Sequence, residues 1–168
     1  MEFRNLGKSG LKVSLAGLGC NNFGMRIDLD AARVVVHKAL DLGITLFDTA
    51  DIYGKRGGSE SMLGQILGGR RKEIVLATKF GGPMNDAGTL QGASRRYILS
   101  EVEASLTRLK TEWIDLYQIH WPAEDINELL EGWSTMADLQ HEGKARWIGV
   151  SNFDAAQMEL AQSIAPIT

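Results

Sequence analysis

The chain has 168 residues, of which 44% are hydrophobic and 23% are charged, and its formal net charge is −3. This composition excludes an intrinsically disordered segment, and the lack of a long Lys/Arg run argues against a nucleic-acid partner. Cys20 is the only cysteine, so an intramolecular disulfide is excluded. With one cysteine, no apolar signal region and no long apolar run, we expect a cytoplasmic protein with no membrane partner.

The hydrophobic periodicity alternates between strand-like and helix-like segments along the whole chain. It begins with a predicted β-hairpin over residues 1–14, with Gly7 to Gly10 as its turn. The predicted strands follow at 15–19, 44–47, 73–79, 113–120 and 145–152, and the predicted helices at 28–42, 59–69, 94–110, 126–143 and 154–164. The predicted helix N-caps are Asp28 or Asp30, Ser59 and Ser94.

Strands that alternate with helices at this spacing indicate an α/β fold with a parallel sheet. Strands such as residues 73–79 are apolar on both faces, as a sheet covered on both sides requires. We count five βα units after the hairpin and find no linker or change in composition. The sequence therefore predicts one domain over residues 1–168.

Polar side chains of chemically useful types lie where the predicted strands end. Because parallel strands share one direction, these ends meet on one face of the sheet, where α/β proteins place their sites. Each residue alone has an ordinary structural explanation: a strand-end lysine, a structural ion pair, a packed tyrosine or a buried histidine. Together they predict a connected acid–base site, whose members are Asp48, Tyr53, Lys79, His120, Ser151 and Asn152.

The chemistry of such a group is coherent. An ammonium next to a phenol stabilises the phenolate that proton transfer leaves, and a carboxylate holds the ammonium charged and oriented. An imidazole can then orient a carbonyl oxygen next to the phenol. This arrangement is typical of a site that donates a proton to a developing alkoxide, as a carbonyl reduction requires.

Several motifs, in this order, resemble those of the aldo-keto reductases. They are "GLGCNNFG" (17–24), "FDTADIYG" (47–54) with "SE" at 59–60, "ATK" (77–79), "SLTRLKTEWIDLYQIHWP" (105–122) and "GVSNF" (149–153). The resemblance covers essentially the whole chain. Within the family, it is closer to the bacterial, potassium-channel β-subunit-like branch than to aldose reductase.

The resemblance implies a (β/α)8 TIM barrel and reversible hydride transfer between NADP(H) and a small aldehyde or ketone. Tyr53 matches the family's proton donor, Lys79 and Asp48 match the pair that tunes it, and His120 matches the residue that orients the substrate. Ser151 and Asn152 match residues that hold the nicotinamide carboxamide, and Gly19, Cys20 and Asn21 lie where the family touches the cofactor. Trp121 is expected to line the substrate pocket.

The chain departs from the family in length, since an eight-stranded α/β barrel takes about 250 residues. We therefore expect a partial barrel that is truncated before strand six, without the later loops that grip the 2′-phosphate. The alternative to a reductase is a catalytically idle fragment, or a regulatory or binding half-barrel that cannot hold the cofactor. Unpaired sheet edges would favour self-association.

The sequence disfavours two other kinds of site, a classical dinucleotide-binding fold and a zinc site. Gly17 and Gly19 are not followed by a third glycine in the register of a G-x-G-x-x-G dinucleotide fold. One cysteine and three histidines show no zinc-ligand spacing, so no metal site is predicted. Cys20 is expected to be a small buried hydrophobic residue rather than a nucleophile.

Overall fold

The computed structural model describes residues 1–168 and begins with the predicted hairpin. Strand β1 (Phe3–Asn5) pairs antiparallel with β2 (Lys12–Ser14), with Phe3 opposite Ser14. Leu11 and Val13 pack against Ala77 and Leu116 of the main sheet. The hairpin therefore covers one side of that sheet, at the end opposite to the predicted site.

The main sheet has five parallel strands, and each strand pairs with the next one along the chain. This sequential order, with a helical crossover between neighbours, is the winding of a TIM barrel, so the predicted partial barrel is confirmed. The strands are β3 (Gly17–Gly19), β4 (Leu46–Asp48), β5 (Val75–Phe80), β6 (Ile114–Ile119) and β7 (Ala145–Val150).

Five helices cover the outer face of the sheet. Their bounds are α1 (Leu29–Asp41), α2 (Tyr53–Leu67), α3 (Arg95–Leu109), α4 (Ile126–His141) and α5 (Ala155–Gln162), and a 3₁₀ helix follows α2 at Gly68–Glu73. The main hydrophobic core lies between sheet and helices and includes the fully buried Trp133, Phe47 and Phe80. No helix is both long and apolar enough to cross a membrane.

Alternation along the strands places functional and structural side chains on opposite faces. On β5, Leu76 belongs to the core beneath the helices, whereas Ala77 packs toward the hairpin. Lys79 lies two residues after Ala77 and therefore points to the same inner face. On β4, Phe47 joins the outer core, which leaves Asp48 for the inner face. The period of two residues is thus the reason why these polar side chains meet inside the barrel.

Two of the predicted helix N-caps are confirmed, one of them without a hydrogen bond from its side chain. Asp28 is the N-cap of α1, and its carboxylate accepts a hydrogen bond from the Ala31 N–H at 2.9 Å. Ser94 is the N-cap of α3, but its hydroxyl makes no capping bond. The Ala93 N–H at this terminus donates instead to Glu128 of α4, which ties the two helices together.

The second helix begins close to the predicted position, but the prediction that Ser59 is its N-cap is wrong. The assigned range of α2 begins at Tyr53, but Gly54 to Gly57 form a left-handed turn with φ between 63° and 97°, so the right-handed helix runs only from Gly58 onward. This left-handed turn, which includes the non-glycine residues Lys55 and Arg56, replaces the cap. Ser59 is fully buried, and its hydroxyl donates to the Cys20 carbonyl at 2.8 Å. Its role is to join α2 to the end of β3.

Candidate active site

An ion pair between neighbouring strands forms the centre of the site. The Lys79 Nζ donates to both Asp48 carboxylate oxygens, at 2.7 and 2.8 Å, and to the Thr49 carbonyl at 2.9 Å. Lys79 is buried, whereas the Asp48 side chain is 43% exposed. The ammonium is therefore fixed by three acceptors, and the carboxylate keeps one side open to the barrel interior.

Tyr53 is carried to this pair by a short turn after β4. The Tyr53 N–H donates to the Ala50 carbonyl at 3.2 Å, and the Asp51 N–H donates to the Lys79 carbonyl at 2.8 Å. These bonds place the Lys79 Nζ 5.2 Å from the centroid of the Tyr53 ring. The Tyr53 side chain is half-buried. The phenol and the ammonium thus share one environment.

His120 directly follows β6, the strand that pairs with β5, and its ring lies next to that of Tyr53. Its backbone N–H donates to the Phe80 carbonyl at 2.8 Å, and its ring is 5.7 Å from the Tyr53 ring in an edge-on arrangement of 82°. Burial, and secondly the charge of Lys79, lower the pKa of His120 to about 4, so the imidazole is neutral at neutral pH. The Nδ1 atom is buried without a partner. Since an orphaned N–H is costlier than an orphaned acceptor, the proton belongs on Nε2.

An apolar wall adjoins the histidine. The Trp121 ring stacks on the His120 ring, with 3.7 Å between centroids and 15° between planes. A Cβ on Gly82 would lie 2.9 Å from Ile52 and 3.1 Å from Trp121, so these three residues are in contact. Trp121 is 44% exposed. Its free surface is suited to contact an apolar part of a ligand.

The predicted cofactor residues other than Asp48 lie at the ends of the two outer strands of the sheet. Gly19 and Asn21 are exposed at the end of β3, and Ser151 and Asn152 follow β7. The Asn152 amide nitrogen donates to the His120 carbonyl at 2.8 Å and to the Ser151 hydroxyl at 3.2 Å. Asn152 also has φ of 60°, a left-handed conformation that turns the chain away from β7. Its amide oxygen has no protein partner.

Cys20 has no free polar group at this end of the sheet. It is fully buried, its N–H donates to the Asp48 carbonyl, and its own carbonyl accepts from Ser59. Burial, followed by the charge of Asp48, raises the pKa of the Cys20 thiol well above its usual value. The prediction that Cys20 is a small buried residue is confirmed, and any contact of Cys20 with a ligand would be a van der Waals contact.

The residues present fit the nicotinamide end of a dinucleotide. Ser151 and Asn152 offer a hydroxyl and an amide oxygen side by side, and a carboxamide needs one acceptor and one donor. A Cβ at Gly19 would meet nothing within 4 Å, so the β3 end is open to a flat ring. No cluster of three His, Cys, Asp or Glu side chains that could hold a metal ion is present.

A second, largely buried polar network supports the site from behind and was not predicted. Glu60 accepts hydrogen bonds from Thr78 at 2.6 Å and from the Arg108 Nε at 2.7 Å, and Arg108 also pairs with Glu101. Thr78 directly precedes Lys79 on β5. The available signal was Glu60 itself, because a glutamate inside a helix that packs on the sheet needs a buried partner.

The fold and the site together define a partial α/β barrel whose polar side chains converge at the carboxyl ends of its strands. The sequence profile of the Aldo/keto reductase family matches residues 16–168, and the chain belongs to this family.

Aldo-keto reductase YhdN of Bacillus subtilis (strain 168) is 38% identical over 173 residues, which cover 99% of this chain and 52% of YhdN. The L-glyceraldehyde 3-phosphate reductase of Escherichia coli (strain K12) is 36% identical over 159 residues, or 91% of this chain and 46% of that protein. The solved holo form of aldo-keto reductase AKR11C1 from Bacillus halodurans has a TM-score of 0.86 and 36% identity, and the match covers 99% of this chain and 55% of that one. The chain thus spans about half the length of the relatives it matches.

Proposed function

We propose that the protein reduces aldehydes or ketones to alcohols with a hydride from NADPH, and that Tyr53 donates the proton. The observation that carries this proposal is the group formed by a phenol and a fixed ammonium–carboxylate pair. The Lys79 Nζ lies 5.2 Å from the Tyr53 ring centroid while both Asp48 oxygens accept its hydrogen bonds. Charges fixed in this way stabilise the anion that develops when a carbonyl is reduced.

Lys79 and Asp48 favour the loss of the Tyr53 proton. A phenol that gives up its proton leaves a phenolate, and a neighbouring ammonium stabilises this anion. Lys79 is held by three acceptors and needs no rearrangement to act. Asp48 compensates the charge of the buried ammonium, because the burial of an unpaired cation is costly.

His120 orients the substrate carbonyl in this proposal. The neutral ring carries its proton on Nε2 and can donate a hydrogen bond to the carbonyl oxygen without adding a second positive charge beside Lys79. The stacked Trp121 ring fixes the plane of the imidazole. The oxygen that accepts from His120 would also be within reach of the Tyr53 hydroxyl, so the same atom receives the proton.

NADP(H) is the proposed cofactor, with Ser151 and Asn152 as the residues that hold its carboxamide and with Gly19, Cys20, Asn21 and Asp48 beside its ring. When bound, the cofactor supplies the hydride. Aldo-keto reductases generally use NAD(P)H, and AKR11C1 was solved in a holo form, which supports a bound cofactor for this fold. The name of the Escherichia coli relative, a reductase of L-glyceraldehyde 3-phosphate, supports a small aldehyde as substrate.

A second candidate is a binding half-barrel that holds no cofactor. The observation in its favour is that β3 and β7 each have only one strand partner, so most of both sheet edges is open to a second chain. On β7, the Ile148 carbonyl accepts a hydrogen bond from the Thr168 N–H at 3.1 Å. In this case the four polar residues would be present but idle. Cofactor binding separates the two candidates.

The test is NADPH oxidation by the purified chain, followed by absorbance with 4-nitrobenzaldehyde as substrate. We expect Tyr53→Phe to abolish turnover and to leave the fluorescence change on NADPH binding intact. Tyr117→Phe is the matched control, because it removes a buried hydroxyl that makes no hydrogen bond. Full turnover by Tyr53→Phe would refute the proton donor. No turnover and no NADPH fluorescence change with the unmodified chain would favour the binding half-barrel.

A further inference from the structure

Asp51 lies in the turn between the Asp48 carboxylate and the Tyr53 phenol, and it is fully buried. Its N–H donates to the Lys79 carbonyl at 2.8 Å, and its Oδ1 accepts from the Ile52 N–H at 2.6 Å. The backbone of Asp51 therefore fastens the turn to β5, and its carboxyl group hydrogen-bonds the next residue of the turn that delivers Tyr53. The second carboxyl oxygen, Oδ2, is buried and has no hydrogen-bond partner.

No cation is available to compensate a charge on Asp51. The nearest guanidinium, Arg108, is engaged by Glu60 and Glu101, and Lys79 is engaged by Asp48 and the Thr49 carbonyl. The hydroxyls of Tyr97 and Tyr117 are buried without partners and donate nothing to Asp51. The titratable and charged groups that face Asp51 are Glu60 of α2, Tyr97, Glu101 and Arg108 of α3, Tyr117 of β6 and Lys79 of β5.

An ionised Asp51 would be costly in these surroundings. With it, three carboxylates would share a single guanidinium, and one carboxylate oxygen would have no donor in a region without solvent. A neutral carboxylic acid avoids both penalties and still accepts the Ile52 N–H. In agreement with this geometry, burial, followed by the charges of Glu101 and Glu60, raises the pKa of Asp51 to about 8.

We propose that Asp51 is a positioning residue that fixes the turn carrying Tyr53 as a neutral carboxylic acid, and that its ionisation in alkaline solution loosens this turn. The effect on catalysis rests on the proposed function, whereas the effect on folding does not. In the unfolded chain an aspartate is ionised above its ordinary pKa of about 3.9. In the folded protein Asp51 keeps its proton up to about pH 8. The stability that the protonated Asp51 contributes is therefore full below pH 4 and is lost as the pH rises through 8.

The test compares the urea unfolding of the wild-type chain and of Asp51→Asn at about pH 5.5 and about pH 8.5. The asparagine mimics the neutral acid and cannot ionise. We expect the advantage of Asp51→Asn over wild type to grow more than tenfold in the unfolding equilibrium constant between the two pH values. Asp30→Asn, which alters an exposed carboxylate on α1, is the control whose difference from wild type should stay constant.

Two further readouts complete the test. The infrared band of a protonated carboxylic acid should be present in the wild type near pH 6, and Asp51→Asn should remove it. The alkaline fall of reductase activity should move to higher pH in Asp51→Asn, whereas a merely structural role would change activity equally at all pH values. A pH-independent stability difference without the infrared band would overturn the proposal. The expected stability and infrared results in a chain without any turnover would confirm a neutral Asp51 and refute the reductase.

Discussion

The contact between helices α2 and α3 allows a stability prediction that can be worked from the structure. A Cβ placed on Gly64 of α2 would lie 2.3 Å from the Arg108 carbonyl oxygen and 2.8 Å from the Leu109 carbonyl carbon, both backbone atoms of α3. Ordinary contacts begin near 3.4 Å, so Gly64→Ala forces the helices apart by about 1 Å. Overpacking of this kind costs about 1–3 kcal/mol, and the higher helix propensity of alanine returns up to about 1 kcal/mol.

We therefore expect Gly64→Ala to lower the free energy of unfolding by about 2 kcal/mol, measured by urea titration with circular dichroism. Gly69→Ala is the matched control, because its Cβ meets nothing within 4 Å and its φ is not positive. This control should change stability by less than about 0.5 kcal/mol. A Gly64→Ala protein as stable as the wild type would show that the two helix backbones are not in contact at this point.

Two further substitutions probe the site directly. Lys79→Met removes the ammonium beside the phenol and should lower kcat by about a hundredfold or more, with NADPH fluorescence retained. Lys144→Met, on the surface, is its control. An unchanged kcat in Lys79→Met would rule out a role for the ammonium. Trp121→Ala removes the wall stacked on His120 and should raise the KM for an aromatic aldehyde roughly tenfold. An unchanged KM would place the substrate elsewhere.

The sheet and the convergence of the site could be predicted because they follow from local regularities. Alternation with a period of two residues fixes which side chains of a strand share a face, and parallel strands bring their ends together. Asp48 and Lys79 are therefore neighbours as soon as β4 and β5 pair. The distances within the site, such as the 2.7 Å between Lys79 and Asp48, agree with that expectation.

The left-handed turn at the start of α2 could not be predicted, because its backbone conformation is unfavourable for the residues that adopt it. Lys55 and Arg56 adopt φ of 63° and 68°, where non-glycine residues are rare, so their identity gives no sign of the turn. Arg56 makes tertiary contacts in this conformation: it donates to the Pro83 carbonyl at 3.2 Å and pairs with Asp86 at 2.6 Å. Ser59 looked like a cap only because this turn is not visible in the sequence.

The role proposed for Asp51 was hidden for a different reason. An aspartate two residues before a tyrosine and three before a glycine resembles an ordinary turn residue. Its complete burial and the engagement of Arg108 by Glu60 and Glu101 depend on how α2, α3 and β6 pack together. The balance of charges around a buried group depends on the assembled tertiary structure. The spacing of residues in the sequence therefore does not predict it.

The sequential pairing of the strands also bears on how the site is assembled. Lys79 and Asp48 are 31 residues apart, and Asn152 and the His120 carbonyl that it contacts are 32 apart, which in each case is one βα unit. Every bond of this kind closes a short loop, so its entropic cost is small and each new unit can complete its contact with the preceding one as it folds. A mutation within one βα unit, or the replacement of that unit, consequently disturbs its contacts with the two neighbouring units and leaves the other contacts of the site intact.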